Sequence, residues 1–190
     1  MVARLARSAR LLWRPEPSGP RLNESPVMPE RPIVVFDVNE SLLDLDAIRP
    51  AFERIFDDPA VMPPHPEVPA ALRRLNDRGF RLFTLTDNTL DISGRQLDRA
   101  GLTHLSERRF SVDETARRHK PAPEAYRSVS SALDVDPADI CLVACHVWNT
   151  IGATAAGWQT APILRESNAP LDVGPQPDLI GQPSMRSPTS

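Results

Sequence analysis

The sequence predicts an α/β domain with a doubly wound parallel sheet, and three observations predict it. Short apolar runs rich in β-branched residues recur along the chain, each ending in a polar loop. Between them lie stretches with apolar residues at helical spacing, closed by glycine. The first run, Ile33-Val34-Val35-Phe36, ends at an acid, Asp37, and open parallel sheets place their ligands at the carboxyl ends of strands. Strands that alternate with helices require crossover connections, which make the sheet parallel and cover both of its faces.

Each element has its own warrant. Residues 33–36 are wholly apolar, as a buried strand requires. Residues 50–56 form a short helix, with Pro50 in its first turn and Ala51, Phe52, Ile55 and Phe56 on one face. The proline-rich residues 57–66 are loop. A helix over 67–78 turns Val68, Ala71, Leu72 and Leu75 inward and stops at Gly79. Residues 80–85 are a strand, 90–100 a helix ended by Gly101, and 110–112 mark another short strand. A helix over 123–133 follows, then Asp136-Pro137 turns the chain into a strand running from 140 into Cys145. The chain closes with a helix over 150–156, stopped by Gly157, a strand over 161–164 and a short last strand at 177–180.

The 190 residues suffice for one domain with a real core, or one domain with a small insertion. A net charge of −3 gives no electrostatic case for nucleic acid, and no apolar run is long enough to span a membrane. The two cysteines, Cys141 and Cys145, fall four apart on one strand, roughly 13 Å, too far for a disulfide. They read as small core residues in a reducing, cytoplasmic compartment. Residues 1–31 differ from the rest. Arg4, Arg7, Arg10 and Arg14 sit among Leu5, Leu11, Leu12 and Trp13, and five prolines follow. Two readings stand there, a basic amphipathic targeting segment or a disordered extension, and Met28 is a natural start for the folded unit. Residues 182–190 are expected to be a disordered tail.

Four loops carry the candidate chemistry. Asp37-Val38-Asn39-Glu40-Ser41 follows the first strand, and Thr86-Asp87-Asn88-Thr89 follows the strand at 80–85. Lys120-Pro121-Ala122-Pro123 follows the strand near 110–112, and Cys145-His146-Val147-Trp148-Asn149 follows the strand that starts at 140. Lys120 is the only lysine among the 22 Lys and Arg residues, and Tyr126, six positions on, is the only tyrosine. A compact ammonium beside a carboxylate keeps that carboxylate ionised. Taken one at a time the residues leave alternatives open. Asp37 serves a turn cap as well as a nucleophile, Ser41 an ordinary loop, Lys120 a solvated loop, Tyr126 helix packing, and His146 a polar pocket.

In this order and spacing the four loops resemble the motifs of the haloacid dehalogenase superfamily, most closely its 2-haloacid dehalogenase (type II) branch, over about residues 32–181. The resemblance implies a Rossmann-like core and a hydrolase that resembles (S)-2-haloacid dehalogenase. Asp37 is then the nucleophile that displaces halide from a short 2-haloacid, giving an aspartyl ester that water cleaves. Lys120 and Ser41 complete the catalytic set, with Ser41 orienting the nucleophile or the water. Thr86, Asp87, Asn88, Tyr126, His146 and Asn149 fall at substrate-binding positions, and the amides after Thr86 open a helix, a natural anion site. Phosphate-hydrolysing members carry an aspartate where this chain has Asn39, a weak Mg²⁺ ligand. The resemblance therefore implies no metal and no cofactor, and places a magnesium phosphatase last.

Three departures go with the resemblance. Asp87 stands where the family usually has asparagine, and its charge repels halide and substrate and raises the pKa of Asp37. Asn149 stands where the family usually has aspartate, and it is neither a base nor a counter-charge for Lys120. Only 49 positions separate Asp37 from Thr86, so most of the family's helical cap is absent and residues 45–66 hold its remnant. A second reading follows: a catalytically impaired relative that binds a small anion or a partner protein. The missing cap also predicts an exposed apolar patch lined by Leu42, Leu45, Phe52, Phe56 or Val61, and with it a homodimer.

Overall fold

The computed structural model describes residues 31–39, 41–44 and 62–163. Within them the elements run β1 (Ile33–Asp37), α1 (Val68–Asp77), β2 (Arg81–Thr86), α2 (Leu90–Arg99), β3 (Arg108–Ser111), α3 (Pro123–Leu133), β4 (Ile140–Ala144), α4 (Val147–Ala155) and β5 (Gln159–Pro162). The five strands form one parallel sheet in the order β3-β2-β1-β4-β5. This is the expected α/β architecture. The first strand in sequence lies at the centre, so the chain winds outward from it in both directions.

Alternate residues of the strands feed two separate apolar cores. Val34, Phe36 and Leu82 pack with Ala71, Leu72 and Leu75 of α1 and Leu97 of α2. Ile33, Val35, Phe83 and Leu85 pack with Ala125, Tyr126 and Val129 of α3 and Ala153 of α4. A strand covered on both faces has no polar side to show, which explains the unbroken apolar run of β1.

Helix ends follow local chemistry. Gly79 and Gly101 adopt positive φ just beyond α1 and α2, as stop positions require. Thr89 caps α2 by accepting the Ile92 N–H. Three starts differ from expectation by two residues or more, and one of them is β3, which begins at Arg108 instead of 110 and pairs there with Phe83 of β2. Helix α4 begins at Val147 instead of 150, because His146 takes the extended conformation at its N-cap and the backbone turns at once. Trp148 and Asn149 therefore lie on a first helical turn, not in a loop. Strand β5 begins at Gln159 instead of 161, because Trp158 is tied back to α3 through its indole N–H on Ser130 Oγ, so pairing with β4 starts immediately after it.

The loop after β1 is closed at its base. Asp44 N–H donates to Pro63 O and His65 N–H to Leu42 O, so residues 44 and 62–65 form a stem. The expected helix at 50–56, the strand at 177–180, both terminal segments and most of the cap remnant lie outside the described residues. So do Leu45, Phe52, Phe56 and Val61 of the expected apolar patch. Leu42, the fifth, is only 2% exposed and packs into the core with Leu43 and Met62. It lines no open patch, because the stem covers it.

Candidate active site

Asp37 is the last residue of the central strand, and its carboxylate projects past the strand end into a ring of loops. It is almost fully buried, so both oxygens need partners. Lys120 Nζ lies 2.5 Å from Oδ1 and also reaches Leu85 O at 3.4 Å. Ser41 Oγ donates to Oδ2 at 2.9 Å and accepts the Cys145 N–H at 2.9 Å, which locks the β1 loop to the β4 loop. His146 Nδ1 stands 3.8 Å from Oδ2, an ion-pair distance longer than a hydrogen bond. Burial pushes the Asp37 carboxyl up, but the Lys120 ammonium and the donors around it outweigh burial and hold it below its ordinary value of 3.8. The Asp37 carboxylate and the Cys145 sulfur lift His146 to about 10 against the opposing effect of its own burial. At neutral pH the site holds an ionised aspartate between two cations.

Asp87 sits at the carboxyl end of β2. Its Oδ1 accepts the backbone N–H of Lys120 at 2.9 Å, its Oδ2 lies 3.8 Å from Lys120 Nζ, and the exposed His119 ring stands 3.5 Å away. The acid therefore fixes the loop that carries the lysine. Thr86 is buried, and its Oγ1 accepts the Asn88 N–H, so that amide is engaged within the loop. Asn88 is engaged by α2 and β3. Its O accepts from Ser111 Oγ and its Nδ2 donates to Gln96 Oε1 at 3.3 Å.

Tyr126 and Asn149 form a second, deeper pair. The Tyr126 hydroxyl points at Asn149, 3.0 Å from its O and 3.2 Å from Oδ1, and burial with the nearby charges of Asp37 and Asp87 keeps the phenol protonated. Asn149 Nδ2 is buried with no hydrogen-bond partner among the described residues. The structure thus brings Asp37, Ser41, Lys120, Asp87 and His146 together, and sets Asn88, Tyr126 and Asn149 behind or beside them.

Three neighbours escaped the sequence reading. Trp148, 40% exposed, stacks on His146 and lies 5.7 Å over Lys120 Nζ, forming an aromatic wall at the mouth. Buried Gln96 of α2 links Asn88 to Asn39, donating to Asn39 Oδ1 at 3.4 Å. Cys145 is buried as a core residue should be, but its sulfur also lies 3.4 Å from His146 Nδ1, at the edge of the site. The spacing of Cys145, His146 and Trp148 was visible, but their convergence was not.

The profile of haloacid dehalogenase-like hydrolases matches residues 32–157. The chain is 31% identical over 146 residues to haloacetate dehalogenase H-2 of Moraxella sp. strain B, covering 77% of this chain and 64% of that protein. It is 31% identical over 115 residues to the (S)-2-haloacid dehalogenase of Pseudomonas sp. strain YL, covering 60% of this chain and 49% of that one. It therefore spans about half to two thirds of the length of these curated relatives. Among solved structures it resembles L-2-haloacid dehalogenase from Xanthobacter autotrophicus with chloropropionic acid covalently bound, with a TM-score of 0.68 at 18% identity over 79% of this chain and 94% of that one.

Proposed function

This chain belongs to the haloacid dehalogenase-like hydrolase family, and on that premise we propose that it hydrolyses the carbon–halogen bond of a short 2-haloacid. The observation that carries the reading is the Asp37–Lys120 pair, a buried carboxylate held ionised at the end of the central strand. Such a carboxylate is a nucleophile at neutral pH. In the first step an Asp37 oxygen attacks the α-carbon, a C–O bond forms, and the C–X bond breaks with halide leaving on the electron pair. In the second, water adds to the ester carbonyl and releases the 2-hydroxy acid and free Asp37.

The other residues have roles consistent with their positions. Lys120 and Ser41 hold the two oxygens of Asp37 in one orientation, so attack occurs from a fixed geometry. The cationic faces of Lys120 and His146 draw in an anionic substrate, and Trp148 supplies an apolar wall over it. Thr86, Asp87 and Asn88 line the β2 side, and Tyr126 with Asn149 supports the floor. Asn39 is engaged by Gln96 and is a weak magnesium ligand, so the reading requires no metal or cofactor and ranks a magnesium phosphatase below the dehalogenase. We place the protein in a reducing, cytoplasmic compartment, in keeping with Cys141 and Cys145, neither of which is in a disulfide.

A second reading has its own support. Asp87 puts a negative charge beside Lys120, and Asn149 is an amide turned to Tyr126. Both fit a protein that binds a small anion, or a partner, without turning it over. One experiment separates the two. Halide release is measured over a panel of 2-haloacids with and without Mg²⁺, and a single turnover is run in oxygen-18 water. The dehalogenase reading requires halide release independent of Mg²⁺ and label in the Asp37 carboxylate. Binding without halide release supports the second reading, and label only in the hydroxy acid refutes the aspartyl ester.

A further inference from the structure

Cys145 Sγ, His146 Nδ1 and a carboxylate oxygen of Asp37 all lie within 4.8 Å of one another. A Cys–His–Asp relay would use both ring nitrogens, one toward the sulfur and the other toward the acid. Here the same atom, Nδ1, faces both, 3.4 Å from the sulfur and 3.8 Å from Asp37 Oδ2. The three atoms therefore surround a common point. Zinc binds thiolate at about 2.3 Å and imidazole at about 2.0–2.1 Å in tetrahedral geometry. Two such bonds at a near-tetrahedral angle span a sulfur–nitrogen gap close to the 3.4 Å observed. The 3.8 Å separation of Nδ1 from Asp37 Oδ2 closes to the same geometry with a shift of a few tenths of an ångström, and the gap from the sulfur to the carboxylate, within 4.8 Å, with one of up to about 1 Å.

We propose that Asp37, Cys145 and His146 form a site for a soft divalent cation of the zinc class, and that its occupation switches the enzyme off. Thiolate with imidazole selects such a metal over magnesium, which prefers oxygen. Three protein ligands leave a fourth position for water, and binding displaces both the thiol proton and the proton that the His146 cation carries on Nδ1. The three ligands are already held close together. The Cys145 backbone is tied to Ser41, the His146 ring is stacked on Trp148, and Asp37 is fixed at the end of β1. Lys120 holds the opposite oxygen, Oδ1, so the two cations occupy different edges of one carboxylate. A metal on Oδ2 takes the lone pairs that attack a carbon centre. The inhibitory consequence rests on the dehalogenase reading, whereas the metal site does not.

The test is a titration of the full chain with Zn²⁺ against a chromophoric chelator, repeated with Co²⁺. One Zn²⁺ per chain and a thiolate-to-cobalt charge-transfer band are expected. Cys145→Ser keeps the backbone N–H that holds Ser41; it should lose the band and weaken zinc binding by more than about tenfold, the least that even loss of an outer-shell partner costs. His146→Asn should weaken binding comparably, and Cys141→Ser should leave it unchanged. Melting curves establish that each variant is folded. In halide release, Zn²⁺ should inhibit the wild type, a chelator should reverse this, and Cys145→Ser should resist the same Zn²⁺ concentration. A wild type with no thiolate band, or Cys145→Ser binding zinc as tightly, overturns the site. Zinc binding with no halide release under any condition overturns the dehalogenase reading and leaves the site standing.

Discussion

Replacing Lys120 by methionine tests the electrostatic core of the site through stability, without need of a substrate. The ammonium and the Asp37 carboxylate are 2% and 7% exposed and 2.5 Å apart. Removing one member of a buried pair leaves an uncompensated charge, at a cost of about 3–5 kcal/mol. Proton uptake sets a ceiling. Asp37 can escape by protonating, and at pH 7, about three units above the ordinary aspartate value, that costs about 4 kcal/mol at 1.4 per unit. Ser41 and the His146 cation remain at Oδ2 and lower the penalty. The loss should therefore be about 3 kcal/mol, or roughly 6–12 °C in melting temperature for a chain of this size.

The pH dependence has a definite sign. In the wild type the folded pKa of Asp37 is depressed, so its contribution is present above the unfolded value and is lost as pH falls through the folded one. In Lys120→Met the folded pKa is raised above the unfolded one. The deficit is then greatest near neutrality and shrinks as pH falls into the ordinary aspartate range. Adding Asp37→Asn removes the stranded charge and should recover most of the loss at pH 7. Denaturant or thermal melts of the four chains in this cycle give the coupling directly. A single variant that melts within a degree of wild type at pH 7, or a double variant no more stable than it, would refute the argument.

Other outcomes follow from the same geometry. Asp37→Asn should fold and abolish halide release, because an amide does not displace halide; surviving turnover measured by halide electrode would remove the nucleophile. Asp87→Asn keeps an acceptor for the Lys120 N–H and removes a charge 3.8 Å from its ammonium. Turnover of 2-chloropropionate should rise several-fold, and a fall would show that the Asp87 carboxylate takes part in the reaction. Gly152→Ala should melt several degrees lower and lose activity, since its methyl would collide with Pro121 O and come within 2.7 Å of Tyr126 Cε2, an overpacking cost of about 1–3 kcal/mol. A melt at the wild-type temperature would mean that α4 shifts away from the Lys120 loop without penalty.

Local sequence determined most of the elements. The β-branched run of β1, the proline opening and 11-residue length of α3, and the glycine stops after α1 and α2 depend on neighbouring residues alone, and they fall where short-range preferences place them. The solitary Lys120 and the acid after an apolar run were also legible, because both are properties of composition and order. Tertiary structure decided what these groups meet. The Lys120–Asp37 contact joins residues 83 apart, Ser41 and Cys145 are 104 apart, and Gln96 reaches Asn39 across 57. Such contacts exist because β1 lies between β2 and β4, with β3 beside β2, which brings the four loops that follow these strands to one end of the sheet. The start of α4 depends on the His146 backbone, and the convergence of Cys145 and His146 on Asp37 depends on the register of β4 against β1. A one-residue slip in that register would send alternate side chains to the opposite face. Burial of both faces of the sheet selects the register, and the free energy of that choice is spread over two cores that no single stretch of sequence contains.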